Sequence, residues 1–124
     1  MKYVAVEGMV IVPVEAGIVF DGFSVITMPS NDVSVDGSGV YSGDIVVDVY
    51  APTLVEGGFV APTARFTLHS SAEKVNADEK AVLLEGDTSD TLTLTGIQPV
   101  TEVPQEFTMT IKVLSAGQTS MKAD

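Results

Sequence analysis

His69 is the one imidazole in the chain, and Ser70 and Ser71 follow it directly. An imidazole beside a hydroxyl is the start of a base–nucleophile pair, which also needs an acid to orient the base. No nucleophile-elbow pattern surrounds either serine, so the sequence supplies no catalytic set. As a metal ligand a lone His would need copies of itself around an oligomer axis, because the chain has no Cys to join it. The remaining reading is a strand-end or turn histidine. We expect no catalytic residue, no metal site within one subunit and no cofactor.

The carboxylates are many and scattered. Asp36, Asp44, Asp48, Asp78, Asp87 and Asp90 fall at or near turns. Residues 31–37 approach a calcium loop but lack its distal Glu. Paired-carboxylate glycoside hydrolysis would be expected beside an aromatic sugar platform, yet Trp is absent and Tyr numbers three. Gly37-Ser38-Gly39 leads into no helix start, and Gly57-Gly58 carries no following Lys-Ser or Lys-Thr, so neither is a phosphate loop. All of these read as solvated turns.

The elements that must hold these residues are strands. The chain has 124 residues, with 20 Val, 6 Ile and 12 Thr against 7 Leu. β-branched side chains favour pleated surfaces. Net charge is −11, from 17 acidic and 6 basic residues. That argues against a partner bound through phosphate neutralisation, and against an anionic lipid surface. Without Cys there is no disulfide framework. The length suits one domain spanning 1–124. No apolar run nears the roughly 20 residues of a membrane span. Glu7 comes too early for a secretion leader.

Period-two alternation predicts about ten short strands: an all-β sandwich, barrel or spike-like wedge. The strongest are residues 45–50, 91–95 and 107–114. Residues 9–12 run into Pro13, which ends a strand or marks an edge. Residues 51–63 and 96–106 read as loops. Residues 72–81 have helical propensity, but we expect a strand and a turn there. Residues 115–124 are expected to fray.

Two segments look alike. Residues 33–44 read VSVDGSGVYSGD and residues 75–87 read VNADEKAVLLEGD. The offset is 42 up to Val40 and Val82, and 43 at Gly43/Gly86 and Asp44/Asp87. The shared skeleton is an apolar strand, Asp at a turn, an apolar pair, then Gly-Asp. It describes a hairpin with a tight turn at Asp36-Gly37 or Asp78 and a second, glycine-requiring bend. The repeat-like regions extend over 33–50 and 75–95, which suggests pseudo-two-fold organisation.

A strand, then Val-x-Val/Ala-Asp-Gly-x-x-Val (with Glu79 in place of the Gly in the second copy), then Gly-Asp, twice in a small Gly-rich β protein, resembles the PAAR-like proteins that cap the spikes of contractile tails. Residues 72–87 carry most of the likeness, and residues 111–123 resemble the C-terminal strand pair of small tail proteins. The resemblance implies a structural component of a tail or baseplate, most simply the spike tip. Its partners would be other virion proteins, above all a trimeric shaft. It would touch a membrane only mechanically and would be assembled in a bacterial cytoplasm. PAAR tips hold a metal through several His and often a Cys, so one His and no Cys depart from the pattern. The departure implies a metal-free tip or another acidic β protein of such a particle. For docking, the N-terminal strand residues Val4, Val6, Met9 and Ile11 are our expected surface. A capsid decoration or head-to-tail connector protein is the alternative, and a small carbohydrate-binding module or hydrolase the second.

Overall fold

The β-branched excess becomes sixteen short strands and no helix. A computed structural model describes residues 1–124. The first six strands are β1 (Lys2–Tyr3), β2 (Val10–Pro13), β3 (Ile18–Val19), β4 (Gly22–Val25), β5 (Ser34–Val35) and β6 (Ser38–Gly39). Then come β7 (Asp44–Tyr50), β8 (Thr53–Leu54), β9 (Phe59–Val60), β10 (Ala64–His69), β11 (Asn76–Ala77) and β12 (Lys80–Ala81). The last four are β13 (Leu92–Ile97), β14 (Pro104–Met109), β15 (Ile111–Ser115) and β16 (Lys122–Ala123). The all-β expectation holds, and 72–81 is strand and turn as expected.

Three local readings change. The loop expected at 96–106 shrinks to 98–103, because β13 runs on to Ile97 and β14 starts at Pro104, with Gly96 paired to Gln105 and Ile97 to Pro104. The expected loop at 51–63 contains the β8–β9 hairpin, in which Thr53 pairs with Val60 and Leu54 with Phe59. The single strand expected over 107–114 breaks at Thr110. There the Glu15 carboxylate accepts the Thr110 N–H (2.8 Å) and its hydroxyl (3.0 Å). Thr110 is thereby held by a loop distant in sequence, and the chain changes partners: β14 pairs with β13, whereas β15 pairs with β2.

β7 is the centre of a three-stranded antiparallel sheet, with β4 on one side and β10 on the other. Its alternation is clean. Ile45, Val47 and Val49 point into the core, while Asp44 and Tyr50 face solvent. A second sheet has the order β14-β13-β9-β8-β3. The rest pair two by two: β15 with β2, β1 with β16, β5 with β6 and β11 with β12.

The interior falls into two clusters. The larger has 17 residues, including Ile11, Phe66, Leu68, Leu83 and Met109. The smaller has 9, including Val4, Val6, Val40, Val82 and Leu84. Short strand segments feed both. Ala5 goes to the large cluster and Val4 and Val6 to the small one, and Leu83 sits likewise between Val82 and Leu84. Both faces of these segments are therefore buried, each fully covered aliphatic side chain contributing about 1.5–3 kcal/mol.

The C-terminal stretch is docked rather than frayed. Ala116 and Ala123 are buried, and β16 pairs with β1. Gln118 pins it: its amide nitrogen donates to the carbonyls of Val4 and Met121 (both 2.8 Å). Its amide oxygen accepts the N–H groups of Ser120 (2.6 Å) and Met121 (2.8 Å).

Candidate functional site

The two hairpins expected from the repeat form and match in detail. β5–β6 turns through Asp36 (φ 52°) and Gly37 (φ 84°); β11–β12 turns through Asp78 (φ 52°) and Glu79 (φ 68°). Two consecutive positive φ angles are the signature of a type I′ turn, whose twist suits a two-residue hairpin. After each hairpin the chain returns in the same way. The Val40 N–H donates to the Val33 carbonyl (3.0 Å), and the Val82 N–H to the Val75 carbonyl (3.2 Å).

A third copy exists that the sequence reading missed. β16 and β1 pair as Lys122↔Tyr3 and Ala123↔Lys2. This register matches Ser34↔Gly39 and Val35↔Ser38, and also Asn76↔Ala81 and Ala77↔Lys80. Met1 and Asp124 take the places of the turn residues, with the α-amino group 3.5 Å from the Asp124 carboxylate. The return bond is present too, from the Val4 N–H to the Met121 carbonyl (3.1 Å).

The three return segments then join head to tail around one axis. The Ala5 N–H donates to the Leu83 carbonyl (2.8 Å), Leu83 N–H to Tyr41 (2.9 Å), and Tyr41 N–H to Ala5 (3.1 Å). A second ring runs in the opposite sense: Glu7 N–H to the Gly39 carbonyl (2.9 Å), Gly43 to Ala81 (2.8 Å) and Glu85 to Tyr3 (2.8 Å). The isolated bridges Val6↔Val40, Ser42↔Val82 and Val4↔Leu84 close the same cycle. The organisation is pseudo-three-fold, not the pseudo-two-fold expected. The visible clue was Val82-Leu83-Leu84-Glu85-Gly86 against Val4-Ala5-Val6-Glu7-Gly8, although Met9 stands where the other copies have Asp.

The remaining repeat residues divide. Gly43 (φ 75°) and Gly86 (φ 94°) make the bend that leaves the ring, and Gly8 (φ 102°) makes it in the third copy. Asp87 is buried and fully satisfied: it accepts the N–H of Leu84 (2.8 Å), the N–H of Ser71 (3.1 Å) and the Ser71 hydroxyl. Asp44 is exposed and faces His69 instead. Asp36 accepts the Ser120 hydroxyl (2.6 Å), which ties the first hairpin to the third. The Tyr41 phenol is pushed above its usual range by burial and by the Glu7 charge.

Val4, Val6, Met9 and Ile11 are not a docking surface. Their exposures are 0%, 0%, 4% and 2%, and the protein's own two clusters occupy them. The exposed apolar side chains lie elsewhere. Cross-strand pairing sets Val19, Thr53, Val60, Ile97 and Pro104 in one row over the five-stranded sheet. Val19 and Ile97 in that row are about half exposed.

His69 forms no base–nucleophile pair. Its Nδ1 lies 3.2 Å from Asp44 Oδ1 and its Nε2 3.1 Å from Asp90 Oδ1. The Ser70 hydroxyl donates to the Gly43 carbonyl, and the Ser71 hydroxyl to Asp87. The two carboxylates lie on opposite edges of the ring, so the three side chains do not converge on a point where an ion could sit. A small recess lined by Met1, Lys2, Ser71, Glu73, Leu84, Ala123 and Asp124 lies where the chain ends meet.

No family model, curated protein or solved structure matches this chain.

Proposed function

We propose that the protein is a structural component of a contractile tail or baseplate, a PAAR-like tip that caps the central spike and helps it through the host envelope. One observation supports this above the rest: a single chain carries two hairpins and a third strand pair of the same register around an axis, joined by cyclic backbone hydrogen bonds. A trimeric shaft ends in three identical surfaces. An asymmetric cap would satisfy one of them. A chain with internal three-fold geometry offers each the same backbone pattern, so one copy can seat on three.

The work in this reading is mechanical. Ladders and tight turns joined across the whole chain leave few weakly held segments, and no turnover chemistry is involved. The partners are the shaft and neighbouring virion proteins, and the membrane is met only in passage. Native mass spectrometry of the protein mixed with the trimeric shaft of its particle is the test. One copy per three shaft chains is expected. Three copies per trimer, or electron-microscopy density away from the tail axis, would sink the reading.

A capsid decoration or connector subunit is the second reading. The row Val19, Thr53, Val60, Ile97 and Pro104 favours it, since a self-assembling subunit would cover such a face. A stable homotrimer in sedimentation would support that reading over the first.

A further inference from the structure

We propose that His69 is a pH-operated latch that fastens residues 88–91 to β10, closed while the ring is an imidazolium and released when it becomes neutral. Both ring nitrogens face carboxylate oxygens, 3.2 Å away at Asp44 and 3.1 Å away at Asp90. An ionised carboxylate only accepts, so each contact needs an N–H on the ring. A neutral imidazole has one N–H; the imidazolium has two. Both bonds can therefore be made only by the charged ring, and its neutral form sets a lone pair against one carboxylate.

The backbone decides which side lets go. His69 is the register partner of Asp44 at the end of the β7–β10 ladder, which runs without interruption from Ala64↔Val49 to His69↔Asp44. Asp90 belongs to a segment held less continuously. That segment meets β10 through the single bridge Leu68↔Ser89 and the bond from the His69 N–H to the Thr88 carbonyl (3.1 Å). Its other side rests on β15 through the bridge Thr88↔Lys112, with Ser89 N–H donating to the Ile111 carbonyl (2.9 Å). Loss of one ring proton thus releases Asp90, and with it a tie across a thinly bridged seam.

The other charges nearby do not replace the latch. Arg65 and Asp48, four residues further along the same two strands, are committed to each other through two bonds. Lys112 stands opposite Thr88 on β15, and Asp87 is turned inward. The carboxylates hold the His69 pKa above its ordinary 6.5, the bond to Asp44 first and that to Asp90 next. A raised folded-state pKa means the latch contributes fully below the unfolded value and is lost as pH rises through the folded one. The ring is about half exposed, 47%, so the effect is that of a surface pair, about two- to five-fold.

The test is residue-resolved amide exchange on the full chain from about pH 6 to about pH 9, bracketing the His range, after division by intrinsic rates. Protection at the His69 and Ser89 amides is expected to fall about two- to five-fold in the wild type and to stay flat in His69→Gln. The ring's own titration, followed by NMR, is expected above the ordinary value, dropping in Asp90→Asn. Flat protection in the wild type, the same fall in His69→Gln, or a ring that titrates at or below its ordinary value would each overturn the latch.

Discussion

Replacing Glu79 by glycine is expected to stabilise the protein, although it removes a side chain. The two complete hairpins share their turn geometry, but one has Asp36-Gly37 and the other Asp78-Glu79. Glu79 sits at φ 68°, in the left-handed region. That costs a residue with a Cβ about 1–2 kcal/mol. Its side chain is exposed and makes no hydrogen bond or ion pair that would be lost. Glycine adds unfolded-state freedom worth about 0.5–1 kcal/mol in the other direction. The balance favours Glu79→Gly by about 0.5–1 kcal/mol, or about 2–4 °C in Tm for a domain of this size. The reverse change, Gly37→Glu, should cost a similar amount. A Cβ at Gly37 meets nothing within 4 Å, so the cost is backbone conformation alone. Reversible urea and thermal unfolding by circular dichroism would measure both, with Glu79→Ala as a control that keeps the Cβ and should stay near wild type. Destabilisation by Glu79→Gly, or indifference to Gly37→Glu, would refute the claim that the two turns share one strained conformation.

Other outcomes follow from the ring and its supports. Leu83→Ala removes a fully buried side chain at the axis and should cost about 2–5 kcal/mol in urea unfolding. Asp87→Ala leaves the N–H groups of Leu84 and Ser71 without their acceptor, and should cost about 2–4 kcal/mol, with unprotected Leu84 and Ser71 amides in exchange experiments. Asp48 should titrate below its usual value, because Arg65 bonds to its carboxylate; the pair's contribution is present above that usual value and fades as pH falls through the lowered one. NMR titration should return Asp48 to the ordinary range in Arg65→Ala.

The sequence by itself determined what is local. β-branched alternation made strands at 45–50 and 91–95, and Asp36-Gly37 made a tight turn, because side-chain period and permitted φ are properties of a few adjacent residues. The likeness of residues 33–44 and 75–87 was legible for the same reason. Tertiary structure decided the rest. The third hairpin joins Lys122 to Tyr3, so no contiguous pattern announces it. Val4 and Val6 alternate like a half-exposed edge, yet two clusters cover both faces of residues 4–6, and alternation cannot say what lies on the second face; Met9 and Ile11 point inward while Val10 between them faces solvent. The break at Thr110 depends on Glu15, and the two contacts of the His69 ring depend on Asp44 and Asp90. Those partners are brought together by folding, and a hydrogen bond depends on distance in space rather than along the chain.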